Sequence, residues 1–183
     1  MIETERLILR PPLDADRDEI AAFNTDPRVN EWLGGPFDRA HSDATVDRIT
    51  AHIAEHGFGF WAAERKADRR VIGFIGLMSM GADLPPGPAI EVGWRLAADA
   101  WGRGLATEGA RAALAWGFEV LKPREIIAIT ARTNVRSQAV MKKLRMAYAA
   151  ERDFLHPRVP DDSPLKAHVT YAIAAPDPAA RRT

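Results

Sequence analysis

The sequence predicts an α+β fold, a central mixed and mostly antiparallel sheet of about seven strands flanked by helices. Three observations carry that class. The element order reads strand, two or three helices, three strands, helix, strand, helix, two strands, which does not fit a pure βαβ winding. Residues 58–65 and 71–80 are β-type runs joined by the polar segment Lys66, Ala67, Asp68, Arg69 and Arg70, an antiparallel hairpin. One strand–helix–strand unit, from 89–96 to 125–131, supplies a single parallel pair.

Each element has a local cause. Leu7 and Leu9 alternate within 6–10, and Pro11 and Pro12 end that strand. Asp14 and Asp16 are acidic cap candidates for a short helix reaching Phe23. Pro27 opens a second helical piece that ends at Gly34 and Gly35. Ser42 and Asp43 read as the cap of a longer helix, with Val46, Ile49 and Ile53 at helical spacing and a stop at Gly57. A Pro/Gly-rich loop, 81–88, leads to the strand 89–96. The helix 105–121 puts Ala110, Ala113, Leu114 and Phe118 on one face. The β-branched run 125–131 is followed by a helix over 134–144. Strands over 148–154 and 167–173 close the sheet around a loop at 155–165.

At 183 residues the chain is expected to form one domain over 1–176, with a flexible Pro/Ala/Arg tail at 177–183. Zero cysteines exclude disulfides, thiolate nucleophiles and cysteine-bound zinc. No signal-like segment or apolar run of about 18 residues is visible, so the expected compartment is the cytoplasm, without a membrane partner. Twenty-five basic and 25 acidic residues cancel, and nothing in that balance calls for nucleic acid. The charges are unevenly placed. Residues 1–50 hold eleven acids against six arginines, whereas 101–152 hold ten basic residues against four acids. A bipolar domain of this kind suits an anionic ligand in its second half and a cationic one at its first, or simply reflects clustering on solvated faces.

Chemistry concentrates at Trp101, Gly102, Arg103, Gly104, Leu105, Ala106, Thr107 and Glu108, between a strand and the start of a helix. The first turn of a helix has unpartnered N–H groups and partial positive charge, and glycines let a phosphate approach them. Arg103 adds a cation and Thr107 a hydroxyl. A P-loop is excluded because no lysine stands there, and a dinucleotide fingerprint lacks its third glycine. His52, Glu55 and His56 match a zinc pattern, but they occupy a last helical turn without a third ligand. Surface histidines are the better reading, and no metal is expected.

The run Glu91, Val92, Gly93, Trp94, Arg95, Leu96, followed by Trp101 to Glu108, resembles the acetyl-CoA signature of GNAT N-acetyltransferases, and within them the RimJ/RimL-type branch. The segments 4–10, 71–77 and Asn134, Val135, Arg136 and Ser137 through Leu144 are similar to that branch in order and spacing, so the likeness spans about 2–175. It implies a GNAT fold in which the fourth and fifth strands, 89–96 and 125–131, splay apart around the pantetheine arm of acetyl-CoA. Main-chain groups of Trp94 and Leu96 would pair with that arm. The N–H groups of Gly102, Arg103, Gly104, Leu105, Ala106 and Thr107 would hold the pyrophosphate, with the Arg103 side chain alongside. Asn134 would contact the cofactor and Ser137 its sulfur end.

The implied reaction is direct acetyl transfer to a primary amine, a protein N-terminus or a small molecule. Glu91 is the candidate base; alternation puts it on the face of Gly93, opposite Trp94. Met141 occupies the position where many relatives carry a proton-donating tyrosine, leaving Ser137 as the candidate acid. Arg145 stands where the pattern has glycine. Trp32 and Phe37 are candidates for an apolar acceptor wall, and Asp26, Glu31 or Asp38 for attracting a cation. The rival reading is a non-catalytic acyl-CoA-binding module, supported by Met141. An exposed late strand would allow a homodimer.

Overall fold

The computed structural model describes residues 1–176, and the expected tail at 177–183 lies outside the described residues. The chain starts with β1 (Ile2–Glu3) and β2 (Leu7–Arg10), then α1 (Arg17–Asn24), α2 (Pro27–Asn30) and α3 (Arg39–His56). The hairpin β3 (Phe60–Arg65) and β4 (Val71–Met80) precedes β5 (Ala89–Leu96), α4 (Leu105–Val120) and β6 (Glu125–Ala131). Next come α5 (Val135–Lys143), β7 (Ala147–Tyr148), β8 (Phe154–Leu155) and β9 (Ala167–Ala174). Among the described residues nine strands form one sheet in the order β1-β2-β3-β4-β5-β6-β9-β7, with β8 also paired to β9. Every pairing is antiparallel except β5 with β6. No helix among the described residues is long and apolar enough to cross a membrane.

The sheet is buried on both faces. On one side Leu7, Leu9, Ile72, Ile75, Leu77 and Val92 pack against Leu105, Ala110, Ala113 and Leu114 of α4 and Met141 of α5. Gly109 permits that approach, since a Cβ there would stand 2.6 Å from Ile75 Cδ1. On the other side Ala62, Val71 and Phe74 meet Ile20 and Phe23 of α1 and Val46 and Ile49 of α3.

Four local expectations are corrected. The helix expected from Ser42 starts at Arg39, because the Asp38 carboxylate accepts the His41 N–H at 2.8 Å. Ser42 is buried one turn inside and accepts from Asn24 Nδ2 at 3.0 Å, joining α3 to α1. Asp14 and Asp16 form a 3₁₀ turn ahead of α1, where Asp16 Oδ2 accepts the Leu13 N–H at 2.7 Å, and neither side chain caps α1 itself. The expected strand over 148–154 breaks into β7, a 3₁₀ turn at Ala150–Arg152, and β8. Thr170 holds that break: its N–H donates to Asp153 Oδ1 at 3.1 Å and its hydroxyl to the Arg152 carbonyl at 2.9 Å. The helical piece from Pro27 ends at Asn30, and turns carry the chain to Gly34. Arg145, the departure at the end of α5, takes φ 62°, the left-handed exit that a glycine adopts without strain.

Asp16 instead serves a buried ion cluster. Arg10 donates to Asp16 Oδ2 and Oδ1 at 2.6 and 2.9 Å and to Glu64 Oε2 at 2.8 Å, tying β2 to β3 and to the entry of α1. Both carboxylate side chains are under a tenth exposed. Burial pushes the Asp16 carboxyl up, but the bonds from Arg10 and the Leu13 N–H hold it below its ordinary value. Arg10→Met would leave the buried Asp16 carboxylate without its cation and Glu64 with only the exposed Arg69. We expect it to lower unfolding free energy by about 3 kcal/mol or more in denaturant titration, whereas a solvated pair would lose under about 1 kcal/mol.

Candidate active site

The site begins where the sheet opens. β5 and β6 touch through one parallel bridge, Glu91 to Ile127, and then part. The Ala97 N–H donates to the Ile72 carbonyl at 2.8 Å, which sets the phase of the antiparallel β4–β5 ladder. Arg95, Gly93 and Glu91 therefore direct their backbone groups to β4, while Val92, Trp94 and Leu96 direct theirs into the gap. The Leu96 carbonyl accepts the Trp101 indole N–H at 2.8 Å, so its own N–H and both groups of Trp94 remain for a ligand.

A cavity of about 770 Å³ occupies this gap and passes to both faces of the sheet. Glu91, Trp94, Leu96, Gly102, Gly104, Leu105, Ala106, Thr107, Asn134, Ser137 and Trp32 line it. Arg103 and Phe37 do not. Arg103 is exposed on the outer side of its turn, and Phe37 stacks on His41 with ring centroids 3.8 Å apart. Asp26, Glu31 and Asp38 also stand outside the lining; Asp26 pairs with Arg28 at 2.6 Å, and Asp38 caps α3.

The start of α4 has the geometry of an anion cradle. Gly102 and Gly104 take φ 74° and 78°, and a Cβ on Gly102 would meet nothing within 4 Å. Glycine is needed there for backbone shape, and the space above the turn is open. The first helical bond of this end runs from the Glu108 N–H to the Gly104 carbonyl, leaving the N–H groups of Leu105, Ala106 and Thr107 without helical partners. Arg6 braces the turn from behind, donating to the Arg103 carbonyl at 2.9 Å and to Glu108 Oε2 at 2.6 Å. Burial pushes the Glu108 carboxyl up, but donors from Thr4 and Arg6 hold it low and ionised.

Across the gap the Asn134 side chain caps α5, accepting the Ser137 N–H at 3.1 Å. The Ser137 hydroxyl makes no hydrogen bond to the protein among the described residues. Met141 is buried at the cavity's edge, where no proton donor replaces it. Glu91 sits opposite Met78 in the register, Gly93 opposite Gly76, and Arg95 opposite Phe74, all on the face covered by α1 and α3. Burial pushes the Glu91 carboxyl up to about 7. His52 and His56 share a helix face with rings 4.3 Å apart, and no group of three or more metal-type ligands occurs among the described residues.

Several cavity residues escaped the sequence reading. Arg136 places its guanidinium 4.8 Å over the Trp101 ring at the cradle's mouth. Its signals were the basic surplus of 101–152 and its place between Asn134 and Ser137. Arg48, Arg95 and His168 also line the cavity. Burial, then His156, pulls the His168 imidazole down to about 4, so it is neutral at pH 7.

Gly104→Val would force a β-branched residue into φ 78°, its Cβ facing Arg6 at 3.6 Å, and so distort the turn that presents the free N–H groups. We expect the dissociation constant for acetyl-CoA, read by calorimetry, to rise about tenfold or more, equivalent to ~1.4 kcal/mol. An unchanged constant would mean that the ligand keeps clear of this turn.

A family model described as "Acetyltransferase (GNAT) domain" matches residues 6–147. The uncharacterized protein YkkB of Bacillus subtilis is 28% identical over 149 residues, covering 80% of this chain and 84% of that protein. The crystal structure of an acetyltransferase from Agrobacterium tumefaciens superposes with TM-score 0.75 at 28% identity, covering 94% of this chain and 92% of that one. Spermidine N-acetyltransferase from Vibrio cholerae, solved with CoA and spermine, shares the fold with TM-score 0.73 at 15% identity, covering 94% and 97%. The cradle and gap agree with acetyl-CoA as co-substrate. The chain belongs to the GNAT acetyltransferase family.

Proposed function

We propose that residues 1–176 act as an acetyl-CoA-dependent N-acetyltransferase of the RimJ/RimL type, moving an acetyl group directly to a primary amine. The observation that carries this reading is Glu91, a carboxyl poised at about 7 beside the last bridge before the gap. Bound in the gap, acetyl-CoA supplies an acyl thioester. The N–H groups at the start of α4 would hold its pyrophosphate, with Arg103 and Arg136 available from the turn and the facing helix. Trp94 and Leu96 would pair with the pantetheine amides through their main chain, and Asn134 would border the same arm.

Glu91, as carboxylate, would take the proton that the acceptor ammonium must lose before it attacks. Ser137 would donate to the departing CoA sulfur. No cysteine exists to form an acyl-enzyme, which agrees with direct transfer. Trp32 forms part of the apolar wall on the acceptor side, and Phe37 would at most support it from outside. The alternative of a non-catalytic acyl-CoA-binding module is not favoured, because it gives no role to a carboxyl held near neutrality in the gap.

Two measurements test the base. With acetyl-CoA saturating, kcat/KM for the acceptor should rise with unit slope and break near pH 7, and Glu91→Gln should lose that limb with a rate loss of about 100-fold or more. A profile unchanged in Glu91→Gln would remove Glu91 from proton transfer. Stability gives an independent sign. A carboxyl whose folded pKa is raised favours the fold only below its unfolded pKa, and that advantage is lost as pH rises through about 7. Glu91→Gln, which cannot ionise, should therefore melt higher relative to the parent protein at pH 8 than at pH 4.

A further inference from the structure

The acceptor side of the cavity carries two cations without counter-ions. Arg95 lies on the same face of β5 as Glu91, about 13 Å further along at ~3.3 Å per residue. Arg48 reaches the same space from α3. Arg95 Nη1 donates to Asn24 Oδ1 at 2.9 Å, and Asn24 is fully buried and fixed by its bond to Ser42. Arg48 has only a 3.5 Å contact to Thr45 Oγ1. Neither arginine forms an ion pair among the described residues.

The nearby acids do not relieve this. Asp16 belongs to Arg10, Asp26 to Arg28, Asp18 and Asp43 to Arg39, and Asp47 to Arg17. Glu91 is the one carboxylate in the cavity lining, and it is spoken for by the amine. Burial, then the charge of Arg48, pulls the Arg95 guanidinium down to about 10, which leaves it charged at neutral pH. Unpaired guanidinium groups in a half-buried cavity walled by Phe60, Phe74 and Trp32 are costly unless something arrives to pair with them. A guanidinium has five N–H donors, and the one visible bond of Arg95, to a neutral amide, leaves its fork largely free for a planar or tetrahedral oxyanion.

We propose that the acceptor amine carries an oxyanion, a carboxylate or a phosphate, that Arg95 and Arg48 bind while the amine lies at Glu91. This deepens the N-acetyltransferase reading and rests on it. It also reverses the expectation of a cationic acceptor drawn from the acids of residues 1–50, because most of those acids pair with neighbouring arginines and none lines the cavity. Asn24 is then a positioning residue, holding the Arg95 fork from behind.

The test is a panel of paired amines: amino carboxylates with their amides, aminoalkyl phosphates with the matching amino alcohols, and spermine. We expect the anionic member of a pair to have the higher kcat/KM by about 10- to 100-fold, the range a charge-assisted pair supplies. Preference for carboxylate or for phosphate identifies which oxyanion is meant. Arg95→Met should erase the difference within a pair through acceptor KM, and Arg95→Lys should restore part of it. Arg48→Met, which leaves the Asn24 tie in place, is the second variant and should shrink the difference if Arg95→Met does not fold. An affinity loss confined to acetyl-CoA, equal rates within each pair, or a preference for spermine would overturn the proposal.

A thermal-shift arm without acetyl-CoA separates the two readings. Stabilisation by the anionic compounds that vanishes in Arg95→Met supports the oxyanion site even if no amine is acetylated, in which case the enzyme reading fails alone. Acetylation without anion preference leaves the enzyme reading standing and removes the oxyanion site.

Discussion

One bridge governs this molecule. β5 is zipped to β4 along its full length but meets β6 only at Glu91 and Ile127. A parallel pair that opened nowhere would bury its ladder and leave no edge for a ligand. Because it opens after Glu91, alternate residues of β5 offer backbone groups to the gap and side chains to opposite faces. The crossover helix α4 starts beside that opening, bringing its unpartnered N–H groups to the same space. Side chains of one strand thus divide the labour: Trp94 and Leu96 face the α4 side, and Glu91 and Arg95 face the helices α1 and α3.

Charge placement follows the same division. Most acids of the first fifty residues form ion pairs that fasten α1, α2 and α3 around the sheet, among them the buried Arg10 cluster. The basic surplus further along is only partly spent. Arg132 and Arg152 find Asp153 and Glu125, while Arg136 stands at the cradle's mouth. Net charge over a segment therefore does not locate a free charge: no acid of residues 1–50 lines the cavity, whereas Arg136 of the basic segment does. What differs is whether partners lie within reach, a property of the folded chain.

Much of the site was legible in order and period. The glycines at 102 and 104, followed by helix-forming residues, announce an anion cradle from backbone chemistry alone, and period-two alternation places Glu91 opposite Trp94. The helix starts were less legible. Asp38 and Ser42 are both good caps by type, and the sequence does not show that Ser42 is needed to bond Asn24. Asp16 looked like a cap for α1 because its cation, Arg10, comes from the separate strand β2, where it also holds Glu64. The broken strand around Ala150–Arg152 depends on Thr170, which arrives some twenty residues later. Arg95 was invisible as a site residue for the same reason: its lack of a partner is known only once every nearby acid is placed.

The central claim is that the gap between β5 and β6, with the start of α4, receives acetyl-CoA through backbone groups. Amide hydrogen exchange with and without acetyl-CoA reads those groups directly. Protection should appear at the N–H groups of Trp94, Leu96, Leu105, Ala106 and Thr107, while the β3–β4 hairpin stays unchanged. Binding that leaves these five amides unprotected would contradict the account, because the ligand would then lie elsewhere.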